Sequence, residues 1–158
     1  MTRKATWSNS DGLVVGFGAN TPERSAAGTK KDVGGVKEAT IFFDYTQVNT
    51  SASGSINWTA PAGTNVVGVA LDVEVAFLGG TSLEFGDASD TDGFITAAQG
   101  ATANLTAGAH IVGSGVYTKG ATDTAAQEFK SYASATVLSL LRAGTFTQGK
   151  GSLKISYL

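Results

Sequence analysis

Strict alternation of apolar and polar residues is clearest in the middle of the chain. From Val69 to Phe77 every second residue is apolar, and Asp72 and Glu74 stand between them. A period of two is typical of a strand with one buried face and one solvent-exposed face, because successive side chains point to opposite sides. The glycine pair that follows suits a two-residue hairpin turn, which needs positive φ angles. The sequence therefore predicts a strand over Val66–Leu78, a turn at Gly79-Gly80 and a return strand over Ser82–Gly86.

Shorter patterns of the same kind recur along the chain. In Val36–Val48, Ile41 and Phe43 alternate with Phe42 and Asp44, which predicts another strand. Further strands are predicted over Ser55–Thr59, Phe94–Ala97, Ile111–Tyr117, Ala133–Arg142 and Ser152–Leu158, turns at Pro61-Ala62-Gly63, Asp87–Gly93 and Thr147–Gly151, and one or two helical turns over Ala121–Lys130. About eight short strands at this spacing predict an all-β fold, an antiparallel β-sandwich or jelly roll.

The first 35 residues follow a different pattern. They hold one apolar run, Leu13–Phe17, between polar stretches and a Gly/Ala/Lys-rich stretch over Ser25–Gly35. This is too little apolar surface for independent folding. We therefore predict an extended N-terminal arm over residues 1–35, with one short strand, and a β-sandwich domain over residues 36–158. The alternative for Leu13–Phe17 is an edge strand of the same sandwich.

Composition argues against several classes of function. The chain of 158 residues has no Cys and one His, His110, so thiolate sites are excluded and transition-metal sites are poorly supplied. Ser114 lacks the Gly-x-Ser-x-Gly elbow of a hydrolase, and a surface position is expected for His110. We predict no enzyme and no cofactor. The net charge of −2 argues against nucleic-acid binding, no apolar run is long enough for a membrane span, and the start has no apolar stretch typical of a signal peptide.

Charge is segregated along the sequence. Residues 1–37 carry a net charge of +3, residues 38–118 carry −8 without any Lys or Arg, and residues 119–158 carry +3. Soluble surfaces normally intersperse both signs. The pattern predicts a polarised molecule whose basic ends contact something acidic, a neighbouring copy included.

Three carboxylates fall within seven residues at Asp87, Asp90 and Asp92. Oxygen ligands at such spacing suit Ca²⁺, but no acid follows at the distance that completes an EF-hand loop. The alternative is a turn between two strands, because Asp side chains accept hydrogen bonds from their own backbone. A Ca²⁺ site and a structural turn are both kept as hypotheses, and the turn is favoured.

Both ends and the middle of the chain resemble small structural proteins encoded beside the major capsid protein in tailed phages. The start Ala5–Gly18 is similar to the opening of those proteins. Pro61-Ala62-Gly63, the strand Val66–Phe77 and the segment Leu83–Ile95 resemble their sandwich domain, and Ala143–Tyr157 is similar to their final hairpin. The resemblance implies a virion component, a head decoration (cement) protein that lies as oligomers on the outer capsid surface and has no active site.

The expected partners are therefore the major capsid protein and further copies of the chain, as a homotrimer. Aromatic and Arg anchors usually dominate interfaces. Within the arm, the expected contact residues are Arg3, Lys4, Trp7, Leu13, Val14, Val15, Phe17 and Arg24. The alternatives are a tail, neck or fibre component, or a carbohydrate-binding module. A sugar platform would draw on Trp7, Trp58, Tyr45, Tyr117, Tyr132 and Tyr157.

Overall fold

A computed structural model describes residues 35–118 and 129–158, together with the backbone of residues 5–8 and 14–17. Eight strands and two short 3₁₀ helices occur in these ranges. The strands are β1 (Ala5–Ser8), β2 (Val14–Phe17), β3 (Lys37–Asp44), β4 (Ile56–Ala60), β5 (Thr64–Asp87), β6 (His110–Val112), β7 (Lys130–Tyr132) and β8 (Thr136–Tyr157), and the 3₁₀ helices are Tyr45–Gln47 and Thr102–Asn104.

All described strand pairs are antiparallel. One sheet contains β1 and β2 alone, and the other runs in the order β3-β8-β5-β6, with β4 on β8 and β7 on β5. The last strand in sequence, β8, is thus central: it pairs with β5 on one side and with β3 and β4 on the other. The prediction of an all-β, antiparallel sandwich is confirmed.

The long pair β5–β8 folds back on itself. A straight strand of 24 residues would be roughly 80 Å long. However, Tyr132 lies beside Thr64 at the start of β5 and donates a hydrogen bond to Asp87 at its end. Trp58 of β4 likewise packs on Tyr157, at the far end of β8, with ring centroids 5.0 Å apart. The two halves of the pair therefore face each other as two layers.

The bend explains two wrong predictions, the hairpin turn at Gly79-Gly80 and the turn over Thr147–Gly151. Both segments lie inside continuous strands, and Gly80 pairs with Gly144 across the ladder. Register shifts between Val73 and Ser82 mark the irregularity, and Gly79 has a φ of 91°. A Cβ at Gly80 would lie 2.6 Å from the ring of Phe146, so glycine lets that ring pack against the backbone. Glycines inside strands favour such bends and bulges as readily as turns.

Several smaller boundaries also differ from the prediction. Strand β3 ends at Asp44, because the Asp44 side chain accepts a hydrogen bond from the Thr46 amide and begins a 3₁₀ turn. Phe94–Ala97 forms only the bridge Phe85–Ile95, and β6 stops at Val112. Helical turns are predicted over Ala121–Lys130. Residues 121–128 lie outside the described residues, and Lys130 belongs to β7.

The core lies between the two layers. Alternate residues of the strands supply it, including Leu71, Leu153 and Ile155 from one half and Leu83, Phe85, Leu138 and Leu140 from the other, all fully buried. The described part of the chain contains no helix with the length and hydropathy that crossing a bilayer requires.

Candidate interaction surfaces

The predicted contact residues of the arm fall partly on a hairpin. Strand β1 pairs with β2, and the register places Trp7 opposite Val15 and Ala5 opposite Phe17. Among the described residues, strand β2 pairs with β1 in a two-stranded sheet. Val14 also lies in β2, whereas Arg3, Lys4, Leu13 and Arg24 lie outside the described residues. Their contact role stays a prediction, as does the division of the chain at residue 35.

The outer face of the sheet β3-β8-β5-β6 carries an isolated aromatic side chain. Phe42 is 76% exposed, although its neighbour Phe43 is 4% exposed and belongs to the core. Phe42 pairs with Ser152 of β8, which in turn pairs with Asp72 of β5. This face is otherwise polar around Phe42, so the exposed ring packs against little of its own chain.

Asp72 contacts two side chains, His110 and Lys154, on the same face. Its Oδ2 lies 2.6 Å from Lys154 Nζ, and its Oδ1 contacts His110 Nδ1. The hydrogen bonds from His110 and then Lys154 lower the pKa of Asp72, and Asp72 raises the pKa of Lys154. His110 is more than half exposed, as expected. Its carboxylate partner, Asp72, pairs with Lys154. The backbone amide of Ser114 donates a hydrogen bond to Gln99 Oε1, so the contacts of His110 do not include this serine.

Two lysines of the C-terminal third lie beside acids of the middle segment, so these charges are closer together in space than along the sequence. Lys154 of β8, the strand between β3 and β5, pairs with Asp72, and Nζ of Lys130 in β7 lies 3.9 Å from Asp87 Oδ2. The pKa of Asp44 is lowered by hydrogen bonds from Thr46 and, to a smaller extent, by Lys150.

The acidic segment Asp87–Gly93 is a turn organised by its first residue. Asp87 is 6% exposed. Its Oδ1 accepts hydrogen bonds from the amides of Ser89 at 2.8 Å and Asp90 at 3.0 Å, and the Asp87 amide donates to the Asp90 carbonyl. This is the Asx-type turn that the sequence favoured.

Asp87 is also the centre of a buried polar cluster. Tyr132 Oη donates to its Oδ2 at 3.0 Å, and Tyr117 Oη donates to its Oδ1 at 3.4 Å. Lys130 Nζ stands 3.8 Å from the centre of the Tyr117 ring, within range of a cation–π contact. Burial, followed by the Asp87 charge, raises the pKa of Tyr117 to about 12 and also raises that of Tyr132. The cluster joins β5, β7 and the segment before residue 118.

The three predicted metal ligands do not converge. No group of three or more His, Cys, Asp or Glu side chains within residues 35–118 and 129–158 has an arrangement that could hold a metal ion. The oxygens of Asp87 already accept hydrogen bonds from protein donors. Asp90 and Asp92 stand close together, and burial and the Asp92 side chain raise the pKa of Asp90. The geometry supports the turn, and Ca²⁺ binding stays a prediction.

An apolar pocket opens beside this turn, on the outer face of the second layer. Its volume is ≈110 Å³. Val137 and Leu141 of β8 form one wall, and Val137 is 47% exposed. The remaining lining comes from Ala52, Gly86, Asp87, Ala88, Thr91 and Ser139. Nothing in the sequence pattern indicated this pocket, because residues far apart in the chain form it.

The aromatic residues considered for a sugar platform are mostly internal. Tyr117, Tyr132 and Tyr157 are buried, and Trp58 and Tyr45 are partly buried against the core. These five therefore do not form the exposed platform that the hypothesis requires. The side chain of Trp7 lies outside the description. The alternation of Ile41 and Phe43 with Phe42 and Asp44 already placed Phe42 on the face away from the core, but Phe42 was not among the predicted contact residues.

No protein-family model and no curated protein matches the chain. Two chains of solved structures are similar. One, from the cyanophage Pam1 capsid asymmetric unit, is 18% identical with a TM-score of 0.45, over 87% of this chain and 96% of that chain. The other, from the acidic stable capsid structure of Helicobacter pylori bacteriophage KHP30, is 15% identical with a TM-score of 0.43, over 99% of this chain and 92% of that chain. Likeness of this degree does not establish a shared function.

Proposed function

We propose that the chain is a non-catalytic structural component of a phage virion. In this role it is a decoration, or cement, protein that binds the outer surface of the head, contacts the major capsid protein and its own copies, and stabilises the shell. The proposal rests on the resemblance of Ala5–Gly18 and of the middle strands to such proteins, together with the surface described above.

The observation that carries the proposal is a closed core with large apolar side chains left outside it. Every buried side-chain polar atom among the described residues has a hydrogen-bond partner. The apolar side chains outside the core are therefore not exposed because the core is poorly formed. They are available for contacts with other chains. Its members are Phe42, Leu78, Val112, Phe129, Val137 and Leu158, which are 45–76% exposed.

The N-terminal hairpin supplies the contact to the capsid in this proposal. Trp7, Val15 and Phe17 act as apolar anchors, and Arg3 and Arg24 as charged contacts, because such residues dominate the energetics of interfaces. A segment that orders on binding loses conformational entropy, so it needs a sizeable contact in return. A lattice offers that contact many times, and multivalency compensates for weak single sites.

Association between copies uses the edges of the sandwich, with a trimer as the proposed form. Within the described residues, β3 pairs with β8 on one side only, so its other side presents unpaired backbone groups. Edge strands of this kind pair readily with a neighbouring chain unless something covers them.

Deletion of residues 1–18 tests the docking role. We expect the truncated protein to keep its far-ultraviolet circular dichroism and its cooperative melting, and to lose incorporation into particles that lack the wild-type protein. Trp7→Ala should weaken incorporation, whereas Thr6→Ala in the same strand serves as the matched control. Normal incorporation of the truncated protein would overturn the docking claim.

Copy number per particle separates the head from other virion sites. Quantitative mass spectrometry of purified particles should find hundreds of copies for a decoration protein. A few to a dozen copies would instead place the protein in the tail, neck or a fibre. Absence from purified particles would overturn the virion role as a whole.

A further inference from the structure

Phe42 has the properties of a contact residue that lacks a partner within its own chain. It is the most exposed of the large apolar residues described, at 76%. It stands on a regular strand whose next residue, Phe43, is buried in the core, so the strand fixes its backbone position. A Phe side chain has only two rotatable bonds, so it loses little conformational entropy on binding and gains by leaving water.

The pocket beside the acidic turn has an apolar lining, and its volume suits part of one aromatic ring. An engineered apolar cavity of roughly 150 Å³ binds benzene in another protein. The pocket here is ≈110 Å³, is open on one side, and has Val137 and Leu141 as its apolar wall. Phe42 lies on the outer face of one layer and the pocket on that of the other.

Charges beside the two features are complementary. Lys150 of β8 pairs with Asp44 in the β3 register, two residues from Phe42, which puts it diagonally adjacent to that ring. Lys150 is exposed and takes part in none of the ion pairs found among the described residues, and its effect on the pKa of the opposite Asp44 is the smallest of those that act on that carboxylate. Asp90 and Asp92 flank Thr91 in the pocket wall and likewise have no cationic partner in those ion pairs. Opposite charges at these places would steer and orient a contact.

We propose that Phe42 of one copy inserts into the Val137–Leu141 pocket of a second copy, with Lys150 of the first facing Asp90 and Asp92 of the second. The proposal rests on the proposed structural role and adds a side-chain contact between copies to the pairing of sandwich edges. Because the two patches differ, the contact is heterologous, and it closes into a ring when the rotation between copies permits. A trimer is one such ring.

Cross-linking between single-cysteine variants tests this contact directly, because the chain has no natural Cys. Phe42→Cys and Val137→Cys proteins are mixed and treated with a short bis-maleimide. We expect a covalent dimer in the mixture and little in either variant alone. Val112→Cys mixed with Val137→Cys is the matched control, since Val112 is also exposed, at 60%. A dimer of Phe42→Cys alone, or no dimer in the mixture, would overturn the proposal.

Sedimentation of Phe42→Ala protein gives an independent measure. We expect association to weaken at least about tenfold, which corresponds to about 1.4 kcal/mol, whereas Thr106→Ala, at an exposed polar position outside both patches, should leave it unchanged. Equal effects of the two substitutions would contradict the specific insertion. Incorporation of wild-type protein into particles is measured in parallel. If wild-type protein enters particles normally but no cross-link forms, the Phe42 contact is refuted and the virion role is not. If the cross-link forms but wild-type protein does not enter particles, the virion role is refuted and the contact is not.

Discussion

Replacement of Tyr132 by Phe should destabilise the sandwich measurably. The substitution keeps the ring and removes the hydroxyl that donates to Asp87 Oδ2 at 3.0 Å. Tyr132 is 5% exposed and Asp87 6%, so water does not readily replace the lost donor. A hydrogen bond to a charged group contributes about 1.5–3 kcal/mol. At about 2 kcal/mol, the melting temperature of a chain this size should fall by about 4–8 °C.

Tyr117→Phe is the matched control for this prediction. Its hydroxyl lies 3.4 Å from Asp87 Oδ1, which is long for an O–H···O bond, so we expect a loss of only about 0.5 kcal/mol. In an Asp87→Asn background the effect of Tyr132→Phe should fall below about 1 kcal/mol, because the acceptor no longer carries charge.

Urea unfolding, followed by tryptophan fluorescence at one fixed protein concentration, measures all four variants. The fixed concentration matters because association adds to apparent stability. Equal losses for the two tyrosines, or an undiminished loss in the Asp87→Asn background, would refute the assignment of Asp87 as the centre of the cluster.

Three further predictions follow from the same structure. The free energy of unfolding should fall as pH rises from 10 towards 12, because unfolded tyrosines ionise near pH 10 whereas the raised pKa values keep Tyr117 and Tyr132 protonated in the fold. The double Phe variant should lose most of this dependence and keep the part that comes from Lys154, whose pKa is also raised; an unchanged pH profile would contradict the prediction. Gly100→Ala should prevent folding, because its Cβ would lie 1.7 Å from the Leu83 carbonyl oxygen. Gly68→Ala, whose Cβ would have its nearest contact at 3.9 Å, should leave the soluble yield unaffected, and equal yields of the two variants would count against the described packing. Added Ca²⁺ should leave the melting temperature at its value in EDTA, because the oxygens of Asp87 already accept hydrogen bonds, and a clear rise would restore the metal hypothesis.

The sequence identified which residues face the core more accurately than where strands end. The alternation from Val69 to Phe77 was confirmed at its buried positions, since side-chain direction depends only on local backbone geometry. The end of the strand was missed at Gly79-Gly80, because a hairpin and a bent strand use the same residue type there. What decides between them is pairing with β8, which lies more than fifty residues further along the chain.

The same limit applies to the surface. The acidic turn at Asp87 was predictable, because Asp hydrogen bonds to its own backbone are local. Its cluster with Tyr117, Tyr132 and Lys130 was not, since these residues meet only when the β5–β8 pair folds back. The pairing of Lys154 with Asp72 was missed for the same reason: a linear count does not show that β8 lies between β3 and β5.

The central place of β8 determines when this protein can fold during its synthesis. Val66 of β5 pairs with Tyr157 of β8, so this pair cannot form until Tyr157 has left the ribosome. Strands β3 and β4 also pair with β8. Chains with such distant pairings fold slowly, typically in milliseconds to seconds. Neither layer of the described sandwich can therefore complete its pairing before β8 has been made, so the outer faces of both layers form only late in synthesis.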